Sequence, residues 1–233
     1  MGAVVLTVDL AVLAHDGNSA GNGWHVLLVR RGTEPFRGRW ALPGGKVRAG
    51  EDAPAAACRE LREETGVQVA PAELAPVSWH TAPDRDPRGR YVSLVYAVLL
   101  PALPGARGGD DAAEAWWQPL PAPPDGFPGA ATEERFAFDH AAVLLEVLHR
   151  APHGPSAVPH VREATAADGP EVRRLLRAHG RTAGEPTRVA ALGGFLVGCA
   201  LPHDEVLVHR RWQGLGVEGQ LTGEDRSRQG RHP

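Results

Sequence analysis

Between Gly44 and Val67 the chain reads GGKVRAGEDAPAAACRELREETGV, and Glu60, Glu63 and Glu64 stand at i, i+3 and i+4. On a helix this spacing puts all three carboxylates on one face, where like charges cost roughly 0.2–0.5 kcal/mol per pair. A hard divalent cation reverses the sign of that interaction. Mg²⁺ takes oxygen ligands in octahedral geometry, keeps several waters and shares its shell with phosphate oxygens. The alternative use of such a run is a solvated acidic face, with Arg59 and Arg62 as surface partners.

These carboxylates need a helix and a loop to place them. EDAPAAACRELREET carries helix end signals: Asp52 can cap it, Pro54 is tolerated in its first turn, and Gly66 can end it. Cys58, Leu61 and Thr65 then point toward the core. Upstream, Val4–His15 and Gly23–Arg31 are apolar and β-branched, separated by DGNSAGNG, and read as a hairpin. RWALPGG reads as a short strand entering a Pro-Gly-Gly loop. Leu74–His80, Tyr91–Leu100 and AEAWWQPL read as further strands, and ATEERFAFDHAAVLLEVLHR as a second long helix. Strands and helices mix without strict alternation, so the fold class expected is α/β, a mixed sheet flanked by helices.

Composition narrows the function classes. The 233 residues are 42% hydrophobic, which suits a globular domain with a smaller companion. A net charge of −3 gives no reason to expect nucleic acid as a partner. Cys58 and Cys199 are the only cysteines, too few for a disulfide framework. No apolar run reaches membrane-spanning length, and the start lacks a basic n-region, so no membrane partner and a cytoplasmic location are expected. A homodimer is compatible with the sequence. Lys46 is the only lysine, and Ala, Gly and Pro are abundant, a bias typical of a GC-rich genome.

Nine positions over 23 residues resemble the Nudix signature without a departure: Gly45, Glu51, Arg59, Glu60, Leu61, Glu63, Glu64, Gly66 and Val67. Residues 1–150 resemble a whole Nudix hydrolase domain, an α/β/α sandwich with a mixed sheet. The resemblance implies that Glu60, Glu63, Glu64 and the Gly45 carbonyl hold Mg²⁺ (or Mn²⁺). It also implies that Arg59 pins the carboxylates and Glu51 supports them. The implied reaction is water attack on the pyrophosphate of a nucleoside diphosphate joined to another moiety. The general base varies in this family, and Glu114, after PGARGGDDAAEAWW, is a candidate.

Substrate choice has weaker signals. Pro83 lies sixteen positions after Val67, as in many ADP-ribose pyrophosphatases of this superfamily, and DRDPRGR and FAFDHAAVLLEVL also resemble that branch. The expected reaction is therefore ADP-ribose to AMP and ribose 5-phosphate. Arg39, Arg85 and Arg88 are the substrate-binding candidates, with Arg90 beside them; a charged hairpin loop would use the same residues. Trp40, Trp79, Trp116 and Trp117 could stack on a base or pack in the core. His80 and His140 fit no metal spacing with the glutamates. Two alternatives stay open: hydrolysis of (oxidised) nucleoside triphosphates, and an ADP-ribose-sensing transcriptional regulator without enzymatic activity.

APHGPSAVP, residues 151–159, reads as a Pro-rich linker. Residues 160–233 restart with strand, helix and hairpin signals before a polar tail. Their order resembles the first half of a GNAT acetyltransferase, in which Arg211, Gly214 and Gly216 match the pyrophosphate loop. Glu218 departs from that pattern, and the chain ends 12 residues after Leu221, so a small truncated GNAT-like α+β segment without acetyl-CoA turnover is expected.

Overall fold

A computed structural model describes residues 3–17, 23–120, 133–149, 160–182, 184–192, 195–208, 213 and 217–222. The chain divides into two compact units, Met1–Arg150 and Ala151–Pro233. The expected linker, residues 151–159, lies outside the described residues.

The first unit is built on a seven-stranded mixed sheet. Its strands are β1 (Val5–His15), β2 (Trp24–Arg31), β3 (Trp40–Ala41), β4 (Gly44–Lys46), β5 (Ala75–His80), β6 (Tyr91–Leu100) and β7 (Ala112–Pro119). The main path runs β3-β2-β1-β6-β5, with β4 on β1 and β7 on β2. β1 and β6 run parallel over ten consecutive pairs, from Val5 opposite Tyr91 to Ala14 opposite Leu100. β1 and β2 do form a hairpin, but they pair only at three positions beside the turn, Leu13–Val26 to His15–Trp24. Beyond these, β4 takes over β1 at Thr7–Asp9 and β3 takes over β2 at Val29–Arg30. The splayed strands leave room between them for a cavity.

Helix α1 (Ala53–Thr65) begins and ends where its sequence directs. Asp52 accepts a hydrogen bond from the Ala55 amide at 2.8 Å. Gly66 adopts φ 73°, a left-handed conformation that costs glycine little, and its amide returns to the Arg62 carbonyl. Ala56, Ala57 and Leu61 are buried against Val8, Leu10, Val12 and Leu27. Full burial of one such leucine stabilises by about 1.5–3 kcal/mol.

Helix α2 (His140–His149) is shorter than the helix expected from ATEERFAFDHAAVLLEVLHR. Residues 131–132 lie outside the described residues; Glu133–Arg135 form a 3-10 turn, and Phe138 sits at φ 53°. The Ala137 amide donates to the Trp40 carbonyl at 2.8 Å, so this segment docks on β3 instead of continuing the helical ladder.

The second unit contains β8 (His160–Glu163), α3 (Gly169–Ala178), β9 (Arg188–Leu192), β10 (Phe195–Ala200), β11 (Val206–Val208) and α4 (Val217–Thr222). The strands form an antiparallel sheet ordered β11-β10-β9-β8. Val172, Leu175 and Leu176 of α3 pack on Val189, Leu196 and Cys199 of the sheet. No helix among the described residues is long and apolar enough to cross a membrane.

Candidate active site

The glycine turn and the acidic helix meet through bare backbone. The Gly44 amide donates to Glu64 Oε2 at 3.0 Å. A Cβ on Gly44 would collide with the Val8 carbonyl oxygen, and one on Gly45 with the Glu60 carboxylate. At Gly44 only a residue without a side chain fits against the β1 backbone.

Arg59 organises the outer side of the same helix. Its Nε and Nη2 donate to the two Glu51 oxygens at 2.8 and 2.9 Å. Nη1 reaches Glu60 at 2.7 Å and Glu63 at 3.1 Å, and Nη2 also donates to the Lys46 carbonyl at 3.0 Å. The paired guanidinium holds the Glu51 carboxyl down at about 2. Glu63 is held further by Arg48 at 3.2 Å.

Glu60 and Glu64 line a cavity of about 520 Å³ together with Gly44, Gly45, Asp110 and Asp111. Glu64 is buried, and burial raises its pKa well above the usual range; the Gly44 amide opposes this in part, while Asp111 and Glu60 add to it. Burial also raises Glu60, against the pull of Arg59. Two partly desolvated carboxylates facing further acids fit a hard cation with oxygen ligands. Among the described residues, however, no three His, Cys, Asp or Glu side chains converge on one point. Glu63 is absent from the cavity lining, and its carboxylate bonds Arg48 and Arg59.

Another part of the cavity wall is cationic and aromatic. Arg31 lies 4.9 Å from the Phe138 ring, and Arg88 lies 5.3 Å from Phe138 and 4.8 Å from Tyr91. Burial and the neighbouring Arg88 charge lower the Arg31 pKa. Asp86 grips Arg88 at 3.0 and 2.7 Å. The cavity thus offers a carboxylate wall for a cation and guanidinium groups for an anion.

Residues 6–137, from β1 to the docking segment before α2, match the NUDIX domain. The chain belongs to the Nudix family. It is 36% identical over 124 residues to the ADP-ribose pyrophosphatase of Methanocaldococcus jannaschii, covering 53% of this chain and 65% of that protein. The chain therefore spans just under two thirds of that relative's length. Among solved structures, a MutT/nudix family protein from Enterococcus faecalis is 29% identical, with a TM-score of 0.57 over 65% of this chain and 63% of its own. The NUDIX domain of Shewanella oneidensis NrtR, complexed with ADP ribose, is 25% identical, with a TM-score of 0.53 over 64% of this chain and 90% of its own. A bifunctional NMN adenylyltransferase/ADP ribose pyrophosphatase from Francisella tularensis, complexed with AMP and a Mn ion, is 28% identical, with a TM-score of 0.52 over 64% and 42%.

Several expected site residues lie elsewhere in this Nudix domain. Glu114 does not line the cavity; on β7 it stands opposite Arg30, 3.8 Å away and half exposed. Arg30 and Arg31 point to opposite faces of β2, so strand parity takes Glu114 away from the cavity. Arg39 is exposed, donates to the Phe136 carbonyl at 3.4 Å, and is also absent from the cavity lining. Arg85 does line the cavity, but its side chain is only 5% exposed and is held by Asp139 at 2.9 and 2.7 Å and by Asp9 at 3.3 Å, whereas Arg88, although paired with Asp86, is 41% exposed. Arg90 donates to the Thr81 carbonyl. None of the four tryptophans lines the cavity, and Trp79 is 76% exposed. Burial pushes the Cys58 thiol up to about 11, as expected of an inert cysteine.

Arg31, Asp110, Asp111 and His140 were not expected at the site. The glycine-rich loop brings the two aspartates in. Its Arg107 and Gly109 amides donate to the last α1 carbonyls, Thr65 and Glu64, both at 3.0 Å. The run GGDD was the available signal. His140 is buried and accepts from the Leu42 amide at 2.9 Å through Nδ1, which places its proton on Nε2, 3.5 Å from Asp9. Burial lowers its pKa, so the ring is neutral.

Proposed function

We propose that this protein is a divalent-metal-dependent pyrophosphohydrolase that cleaves ADP-ribose to AMP and ribose 5-phosphate. One observation carries the reading: the signature helix presents desolvated Glu60 and Glu64 to a cavity that also contains Arg31 and Arg88. The likeness to an ADP-ribose pyrophosphatase and to an ADP ribose-complexed domain supports the choice of nucleotide. Glu60, Glu63, Glu64 and the Gly45 carbonyl would hold Mg²⁺ or Mn²⁺. When bound, the metal neutralises charge on the pyrophosphate oxygens.

The chain's own groups do the rest. Arg31 and Arg88 bind the pyrophosphate anion by charge-assisted hydrogen bonds. Asp110 and Asp111, which line the cavity, would accept a proton from the attacking water in preference to Glu114, which does not line it. Arg59 and Glu51 fix the helix face and its loop and touch no substrate. Phe138 and Tyr91 supply an apolar wall for ribose or base. The test is a panel of ADP-ribose, NADH, diadenosine polyphosphates, nucleotide sugars and 8-oxo-dGTP with Mg²⁺. ADP-ribose should give the highest kcat/KM; a tenfold preference for 8-oxo-dGTP would replace this reading with nucleoside triphosphate cleansing.

For the second unit we propose a GNAT-like segment that does not turn over acetyl-CoA. Its described elements run strand, helix, three antiparallel strands and helix. Arg211, Gly214 and Gly216 lie outside the described residues, and Glu218 is the second residue of the six-residue α4. Calorimetric titration with acetyl-CoA should give no binding; micromolar affinity would refute the reading.

A further inference from the structure

Among the described residues, Arg48 is the cavity-lining side chain that bonds Glu63, which is itself absent from the lining: its Nη2 donates to Glu63 Oε2 at 3.2 Å. We propose that Arg48 is a substrate-binding residue released by the metal, guarding Glu63 in the free protein and turning to the substrate's phosphate oxygens when the cation takes that carboxylate. The inference rests on the metal-dependent reading above and goes beyond it, because nothing in the signature specifies position 48.

Three cations compete for Glu63, and their surroundings decide which gives way. Arg59 is only 11% exposed, is committed to Glu51 by two parallel bonds, and also holds Glu60. It stays. Arg62 is 3.9 Å from Glu63 Oε1, outside hydrogen-bonding distance, and does not line the cavity. Arg48 makes a single hydrogen bond to Glu63 with its side chain 61% exposed. Exposed pairs of this kind contribute little, so a divalent cation outcompetes it at small cost. Arg48 already lines the cavity, as does Lys46. Arginine's planar fork suits phosphate oxygens. The backbone of Arg48 remains anchored, because its amide donates to Glu51 Oε2 at 3.1 Å. Only the side chain needs to move.

The exchange makes metal and nucleotide affinities respond in opposite directions. Calorimetric titration with Mn²⁺ alone, on the full chain, should show Arg48→Gln binding the metal about two- to fivefold more tightly than wild type. Loss of a nearby positive charge would also favour a cation, so Arg62→Gln is the control; its effect should be under half as large. Titration with AMP at saturating Mn²⁺ should show Arg48→Gln about tenfold weaker, Arg48→Lys intermediate and Arg62→Gln unchanged. Circular dichroism establishes that each variant is folded, and Arg48→Lys carries the comparison should Arg48→Gln fail to fold. Equal Mn²⁺ affinity in wild type and the Arg48 variants, or an equal gain in Arg62→Gln, overturns the guard. Unchanged AMP affinity in the Arg48 variants overturns the substrate contact. A wild type that binds no Mn²⁺ overturns the metal-dependent reading itself, and the guard with it, a result distinguishable from either of the others.

Discussion

Arg59 and Glu51, eight residues apart in sequence, face each other with two parallel hydrogen bonds of 2.8 and 2.9 Å. The pair ties the segment that leads into α1 to the helix face, and the Arg59 bond to the Lys46 carbonyl extends the tie to the glycine turn. It also carries a pH signature. The Glu51 carboxyl sits near 2 in the folded protein, against 4.5 ordinarily, chiefly through its bonds to Arg59. A depressed carboxyl stabilises the fold above its unfolded pKa and loses that contribution as pH falls toward the folded one. Wild type should therefore melt above Glu51→Gln at pH 7, and the gap should close between about pH 4.5 and 2. A gap that is constant across this window would remove the ion pair as its cause.

Glu64→Gln should separate stability from catalysis. Glutamine keeps an oxygen for the Gly44 amide and removes a buried charge that Asp111 and Glu60 oppose. Thermal melting should show a Tm equal to or above that of wild type. Steady-state assays should show kcat lower by about 10²-fold or more, the scale expected when one electrostatic stabiliser is lost. A lower Tm with full activity would reverse both halves.

What the sequence disclosed was local. The helix, its Asp52 cap and its Gly66 stop follow from residue types within one window, and the signature spacing named Glu51, Arg59, Glu60, Glu63 and Glu64. The approach of three distant segments could not be read in this way. Whether Glu60, Glu63 and Glu64 share one environment depends on where Gly44 and Arg48 fall: Arg59 bonds both Glu60 and Glu63, Arg48 adds a bond to Glu63 alone, and the Gly44 amide bonds Glu64. Arg85 looked free because Asp9 and Asp139, its partners, lie 76 and 54 residues away in the chain. The position of Glu114 off the cavity lining depends on strand parity and on a register shift beside Arg30 and Arg31, neither of which composition reveals. The long second helix failed at Phe138, whose left-handed backbone is set by docking on β3 and not by helix propensity.

Gly109→Ala should damage the site from behind. A Cβ there would press on the Glu63 carbonyl, a backbone atom that cannot swing away. Relief requires the loop to lift, losing the Gly109–Glu64 bond and displacing Asp110 and Asp111. A cost of about 1–3 kcal/mol is expected from overpacking with a lost hydrogen bond. Gly105→Ala is the control, since nothing lies within 4 Å of its added Cβ. Chemical denaturation should show a lower midpoint for Gly109→Ala only; matching midpoints would mean that the loop yields freely.

Residues 1–150 alone should fold and keep most of the hydrolase activity. The buried clusters of the first unit draw on β1, β2, β3, α1, β6 and the docking segment before α2, all before Arg150. The cluster of the second unit draws only on residues after it, from Val172 to Leu207. A core completed within one stretch of chain satisfies the requirement for independent folding. Every residue lining the cavity also precedes Arg150, so the truncation removes no group assigned to metal, nucleotide or proton transfer. The check is a chain ending at residue 150, compared with the full chain by cooperative thermal unfolding and by kcat/KM on ADP-ribose. A soluble fragment with a single melting transition and kcat/KM within about threefold of the full chain is expected. Aggregation on removal of the second unit would mean that it shields apolar surface of the first. A folded but inactive fragment would mean that the second unit supplies part of the active conformation.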